Sequence, residues 1–303
     1  MNLIALLIGL VVERVATQLF HWRRLRWIDR VIDAGFRQSG RLANWPALIS
    51  VLVLTLLLAL PVIGIIIALG PDPQELAYLI FAIVILMFSI GPKDIGEEVD
   101  EYCAAVAAED EEKIHNSAKS IIEDDVPEDP RERIGRVEEA VCVQANNRLF
   151  AVVFWFVLLG PLAAWIYRVT DLIRRRAVFN ASRDEESDGN SGRIRDAAEK
   201  LHGWLAWVPA RITAIGYATA GHYDEAIAAL RAPTEDAEMT TSEQSERLLA
   251  RVGVAALAIQ DKPDETISER GIRGATAANK LVFRQLLIWA VIIAAMTLYG
   301  LTR

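Results

Sequence analysis

Four long stretches of the chain carry no charged side chain: Pro46–Pro71, Leu76–Pro92, Leu149–Tyr167 and Gln285–Thr302. About 20 apolar residues in a helix cross the hydrocarbon core of a bilayer. Backbone in lipid must satisfy its own hydrogen bonds, so each stretch is predicted as a helix. One such run fits the interior of a soluble protein; four in one chain predict an integral membrane protein. The first two, joined by Gly70-Pro71-Asp72-Pro73, form a helical hairpin. Pro61 and Gly64 lie inside the first run, where they can bend it. Leu149–Tyr167 carries Gly160-Pro161 at its centre. Proline removes a helix hydrogen bond and crowds the turn before it. This run is therefore either a kinked span or a re-entrant hairpin that enters and leaves on one face. Arg168, Arg174, Arg175 and Arg176 follow at once and disfavour translocation of what comes next. That supports re-entrance, or a broken helix tilted within a protein-lined cavity. A full crossing would instead put residues 168–280 on the opposite side.

The segments between the runs keep helical periodicity. In His21–Asn44, Leu25, Ile28, Ile32 and Phe36 share one face among six Arg and two Asp. With Trp22 and Trp27 this reads as an Arg-rich helix on the cytoplasmic membrane surface. Met1–Phe20 reads as an uncleaved membrane-associated helix, because Glu13-Arg14 interrupts its apolar stretch. Glu13 and Arg14 are candidates for a structural ion pair, since an unpaired charge at depth is costly. Lys93–Asn147 holds seventeen acidic against six basic side chains. Its stripes Val99–Cys103–Val106–Ile114–Ile121 and Ile134–Val137–Val141–Ala145–Leu149 predict two antiparallel helices around Pro127-x-x-Pro130. Beyond the broken run, Arg193–Ala218 is helical with Pro209 at a helix start. Gly221-His222-Tyr223-Asp224-Glu225-Ala226 opens another helix, Ser242–Ile259 a third, and Asp261–Ile272 is a polar connection.

No segment shows sustained strand alternation. The predicted fold class is all-α: a polytopic α-helical membrane protein with cytoplasmic helical segments. Its divisions are 1–44 (membrane-associated and interfacial helices), 45–92 (transmembrane hairpin), 93–147 (acidic helical hairpin), 148–170 (broken membrane helix), 171–282 (helical aqueous region) and 283–303 (C-terminal transmembrane helix).

Composition fits this division: 53% of the 303 residues are hydrophobic, yet 24% are charged. The net charge of −8 argues against nucleic acid, which needs a basic face. Cys103 and Cys142 read as free thiols; without CxxC or a Cys/His cluster no zinc site is predicted. The four histidines are scattered and read as surface or cap residues. No P-loop, G-x-S-x-G elbow, H-E-x-x-H or G-x-G-x-x-G is present. Three polar clusters remain. Trp22–Trp27 with Arg30 reads as a membrane anchor or an anion site. Tyr167, Arg168, Thr170 and Asp171 follow the broken helix, where polar groups can line a membrane-level cavity. Arg211, just past Pro209, can hold an anion or pair with Glu13 or Asp171. Tyr167, Arg168, Thr170, Asp171 and Arg211 are therefore the candidate ligand-binding residues, for an anionic small ligand.

Several stretches together resemble the AmpE family of regulatory signalling modulators: Glu13-Arg14…His21-Trp22, Asn147-Arg148-Leu149-Phe150…Gly160-Pro161…Tyr167, and Gly203-Trp204…Trp207-Val208-Pro209-Ala210-Arg211…Gly221-His222. More distantly, Tyr167-Arg168…Thr170-Asp171-Leu172 and Pro209-Ala210-Arg211-Ile212-Thr213 are similar to elements of the CobD/CbiB adenosylcobinamide-phosphate synthase family. The first resemblance implies a multi-pass protein of the bacterial inner membrane, linked to sensing of cell-wall recycling and β-lactamase induction. ATP enters as a cofactor only through that resemblance. The second implies an alternative, an amide-forming synthase, although the Asp-Pro/His-Pro-rich segment of those enzymes is absent. A third possibility is a membrane scaffold that recruits a protein partner through the acidic hairpin.

Overall fold

The computed structural model describes residues 26–41, 46–70, 75–90, 94–122, 125–183, 189–233 and 239–299. The expectations for Met1–Phe20, including Glu13 and Arg14, lie outside these residues. Among the described residues every regular element is helical. They are α1 (Arg26–Arg41), α2 (Ala47–Leu69), α3 (Glu75–Ser89), α4 (Ile95–Ala107), α5 (Glu111–Ile121) and α6 (Pro130–Ala145), then a π-helical turn (Asn146–Phe150), α7 (Ala151–Leu159), α8 (Pro161–Arg183), α9 (Gly189–Ala220), α10 (Tyr223–Arg231), α11 (Thr241–Leu257) and α12 (Ile267–Leu298).

Three described helical stretches are long and apolar enough to cross a membrane: Ala47–Leu69, Pro130–Leu159 and Ile267–Met296. The apolar part of α3, Leu76–Ser89, is shorter. On α2 the large side chains Leu52, Val53, Leu56, Leu57 and Leu60 face outward, as do Leu287, Val291 and Ile292 on α12. A protein surrounded by water does not expose continuous apolar faces of this extent.

The Gly160-Pro161 break is real. Gly160 has φ +85°, ψ −169°, in the left-handed region open to glycine, and Pro161 starts α8, where its missing N–H costs nothing. The chain reverses there. Ala151, Val152 and Phe156 of α7 share a core with Ala164 and Tyr167 of α8. Farther from the tip, Gln144 Oε1 accepts a hydrogen bond from Arg175 at 2.9 Å. Gln144 and Arg175 lie nearly the same number of residues from Gly160, as an antiparallel pair requires. Both ends of the uncharged run therefore return to the same end of the bundle. The other polar parts gather at that end too: Glu98, just past α3, meets Arg148, and Arg270 of α12 meets Glu138 of α6.

Four expectations are corrected by local physics. The first acidic helix is two, because Glu109 takes φ +53° and the Asp110 carboxylate caps α5 by accepting from the Lys113 N–H at 3.1 Å. Pro209 lies inside α9 rather than at a start. A residue there with an N–H would bond the Leu205 carbonyl; that carbonyl accepts instead from the Trp155 indole at 3.1 Å. The polar connection is shorter than Asp261–Ile272: α12 begins at Ile267, and its Gly271 and Gly274 face Ile134 and Glu138 of α6. In α1, Ile28 and Ile32 are fully buried against α2 and α8, so this part of the stripe packs on protein.

Candidate functional site

The lower half of the α7–α8 hairpin holds a buried ion cluster. Asp171 lies fully inside the fold. Arg168, Arg174 and Arg175 stand at i−3, i+3 and i+4 from it, the neighbours on one helix face. Arg168 Nη1 lies 3.0 Å from Oδ2, Arg175 Nε 3.0 Å from Oδ2 and Arg174 Nη2 3.3 Å from Oδ1. Burial opposes ionisation of Asp171, but the guanidiniums of Arg175, Arg174 and Arg168 together hold its carboxyl well below the usual carboxylate range.

The facing arm of the hairpin supplies the second half. The π turn widens the helix by a residue, so consecutive Asn146, Asn147 and Arg148 are all buried; a regular α-helix would rotate one of them outward. Arg148 donates to Glu98 at 2.8 Å, Gln144 at 3.0 Å and the Ser120 carbonyl at 3.2 Å. Gln144 Oε1 accepts from both Arg148 and Arg175 and so links the two halves. Glu246 of α11 closes the far side, 3.4 Å from Arg174 Nη1 and 3.5 Å from Asn147 Nδ2. His202 of α9 completes the interior: Nε2 is 3.3 Å from the Tyr167 hydroxyl, Nδ1 is 3.1 Å from Ser242 Oγ, and Asp171 Oδ1 is 3.8 Å away.

Four guanidiniums thus contact three carboxylates, Glu98, Asp171 and Glu246. Arg168 Nε and Asn146 Oδ1 are buried with no hydrogen-bond partner among the described residues. The local balance is cationic in a chain whose net charge is −8. A small cavity lies elsewhere, between Gly35, Phe36, Leu54 and Ile194; the cluster itself is closed by its own ion pairs. Among the described residues no group of His, Cys, Asp and Glu could hold a metal ion.

Of the residues singled out from sequence, Tyr167, Arg168 and Asp171 meet here. Thr170 is buried on the same helix, but its hydroxyl donates to the Ile166 carbonyl at 2.8 Å. Arg211 is not brought to the cluster: it lies over the Trp207 ring, 3.9 Å from its centroid. Sequence reasoning missed Glu98, Gln144, Arg148, His202, Ser242 and Glu246. His202, expected at the surface or in a cap, is fully buried; His222 does occupy the N-cap position of α10. The i+3, i+4 spacing about Asp171 was a signal for Arg174 and Arg175; no local signal marked the six missed residues.

A helical bundle with apolar membrane-crossing faces and a buried ion cluster at one end defines an integral membrane protein. The chain belongs to the family of regulatory signalling modulator protein AmpE, which it matches over residues 1–302. Two curated proteins, each named cobalamin biosynthesis protein CobD, are more distantly similar. The one from Stutzerimonas stutzeri is 26% identical over 146 residues, 48% of this chain and 46% of the relative. The one from Chromobacterium violaceum is 23% identical over 145 residues, 48% and 44% respectively. The chain thus spans about half the length of these relatives. No solved structure matches it.

Proposed function

We propose that this protein is a multi-pass inner-membrane signalling modulator that links the state of cell-wall recycling to β-lactamase induction, and that an anionic small ligand acts at the Arg168–Asp171 cluster. One observation carries the reading: four guanidiniums against three carboxylates, buried where the two arms of the broken helix meet three other parts of the fold. An anion of the right shape competes with Asp171 for Arg168 and Arg175. Charge-assisted and bidentate bonds to guanidinium are the strong ones. Exchanging partners would free α8 from Gln144 of α6 and from Glu246 of α11, turning ligand binding into a relative movement of helices. Tyr167 and His202 position the Asp171 side of the cluster, and Thr170 fixes the local helix. Arg211 takes no part in this site.

The re-entrant form of residues 149–167 belongs to the same proposal, because both ends of that run reach the cluster. Residues 168–280 then share the side of 93–147, and a reporter fused at Asn190 is active only where it folds in the cytoplasm. An extracellular-type signal would overturn this part. For the ligand, cells lacking the native copy are complemented with wild type, Arg168→Ala or Arg175→Ala and β-lactamase induction is measured. Loss of induction with normal membrane levels of the variants supports the site; unchanged induction overturns it.

The likeness to CobD over about half the chain favours a second reading, an amide-forming enzyme dependent on ATP. Nucleotide turnover by the purified protein separates the two: sustained hydrolysis coupled to a new amide supports the enzyme.

A further inference from the structure

The exposed face of α9 changes character halfway along. Between Arg193 and Lys200 it carries Arg193, Arg195, Asp196 and Lys200. Beyond, it carries Trp204, Trp207, Val208, Ile212 and Ile215, each 38–53% exposed. These positions follow i, i+3, i+4, i+8 and i+11, a single face. The opposite face, with His202, Ala206, Ala210, Thr213, Ala214 and Tyr217, is buried. A helix on a water-facing surface shows the reverse order.

The only charge in the strip is Arg211, stacked on Trp207 and donating to the Trp207 carbonyl at 2.9 Å. Lys200 marks the N-terminal border, with Nζ 5.7 Å from the Trp204 ring centroid. The chain on either side of the strip is tied to the polar end of the bundle. Before it, Ile194, Ala197 and Ala198 pack with Ile173 and Ala177, past the uncharged run of the hairpin. After it, the Tyr217 hydroxyl donates to the Cys142 carbonyl at 2.6 Å and the Ala220 carbonyl accepts from Arg284 at 3.4 Å. Between these ties α9 cannot cross a bilayer. The helix that carries the strip packs on α12, whose Gln285 donates to the Thr213 carbonyl at 3.2 Å and whose Leu287, Val291 and Ile292 face outward. On the other side it adjoins α7 through the Trp155–Leu205 bond.

We propose that residues 204–215 of α9 lie in the plane of the membrane surface, with the apolar strip in the acyl chains of one leaflet and Lys200 and Arg211 at the phosphates of anionic lipids. Adjacency to α12 and α7 argues for lipid as the occupant, because α12 turns an apolar face outward and is long and apolar enough to cross a membrane. Lys200 before the strip and Arg211 within it match the headgroup charge. A guanidinium against an indole holds its charge at the headgroup level while the ring stays among chains. Amphipathic helices with basic borders and Trp on the apolar face bind membranes in this way. The inference is independent of the ion cluster, so neither stands or falls with the other.

The test uses the full-length protein in vesicles of phosphatidylethanolamine and phosphatidylglycerol, with a membrane-impermeant maleimide supplied on both sides. Lys200→Cys, Val208→Cys and Ile212→Cys are each labelled, with the parent chain giving the background from Cys103 and Cys142 and denatured protein the full signal. Val208→Cys and Ile212→Cys should react at least about tenfold more slowly than Lys200→Cys, as burial in acyl chains demands. Equal rates would put the strip in water and overturn the proposal. Protection that disappears when residues 1–20 are removed, or disulfide cross-linking between two copies at Ile212→Cys, would also overturn it, by naming a protein occupant. Replacing phosphatidylglycerol by phosphatidylcholine should lower the unfolding midpoint of wild type and change that of Arg211→Ala less; equal changes would sink the headgroup part.

Discussion

Two acid-bearing regions of this chain treat their carboxylates in opposite ways. In α4 and α5, Glu97, Asp100, Glu101, Glu111 and Glu112 are exposed, pairs such as Asp110–Lys113 sit at the surface, and Glu98, buried against Arg148, is the exception. Such exposed pairs contribute little to stability. In α8 a single acid, Asp171, is buried with three guanidiniums around it. Most acids in an acid-dense segment therefore mark solvated surface, while the ones that meet an arginine inside the fold, Glu98, Glu138 and Asp171, mark the interior. Depth, rather than number, decides what a charge does.

The sharpest way to break this comparison is to remove the partner in each region. Asp171→Asn leaves two buried guanidiniums, Arg168 and Arg174, and the partly exposed Arg175 without their shared carboxylate, and breaking a buried pair from one side costs about 3–5 kcal/mol. Thermal or denaturant unfolding of the purified protein in detergent should register that loss, whereas Glu112→Gln should leave the transition where it was. The double variant Asp171→Leu with Arg168→Leu should recover part of the loss, since removing both members spares the burial of an uncompensated charge. An Asp171→Asn protein as stable as wild type would place the cluster in water.

A smaller effect probes what holds the cluster shut. A Cβ at Gly203 would lie 2.6 Å from the Ser242 backbone nitrogen and 3.1 Å from the Thr241 carbonyl carbon. Neither can swing away, because both belong to the first turn of α11. Gly203→Ala should cost about 1–3 kcal/mol, the range for overpacking. It should also pull His202 from Ser242, which a changed histidine resonance in a selectively labelled sample would show. Gly192→Ala, on the same helix with open space at its Cβ position, is the control and should be harmless.

How much of this was legible beforehand follows from range. The uncharged runs of α2 and α12 and the break at Gly160-Pro161 are local properties, and each is visible in a window of twenty residues. Arg168 and Asp171 were legible because one helix turn joins them. Glu98, Arg148, His202 and Glu246 were not, because their meeting depends on how four separate segments pack. The π turn was also hidden: Asn146-Asn147-Arg148 reads as an ordinary polar patch until an extra residue in the helix turns all three inward. Pro209 misled for a related reason. A proline argues for a helix start when only its own helix is considered, but Trp155, fifty residues away, supplies the donor that lets α9 continue.

Asp33 sits between the two extremes and gives the smallest effect. Its carboxylate accepts from Arg176 Nε at 2.7 Å and Nη2 at 2.6 Å, a bidentate pair that pins α1 to α8, with about a quarter of the Asp33 side chain exposed. The hydrogen bonds from Arg176 outweigh partial burial and lower its pKa below the ordinary 3.8. A carboxylate with a lowered pKa stabilises the fold fully above its unfolded value, and that contribution fades only as pH falls through the folded one. Asp33→Asn should therefore cost no more than about 1 kcal/mol near neutral pH, the scale of partly exposed pairs. The gap between variant and wild type should stay constant from pH 7 down to about 4 and close below it. Asp171 is lowered as well, so mild acid should leave both pairs intact. Convergence of the two curves already at pH 6 would show that Asp33 is not held by Arg176.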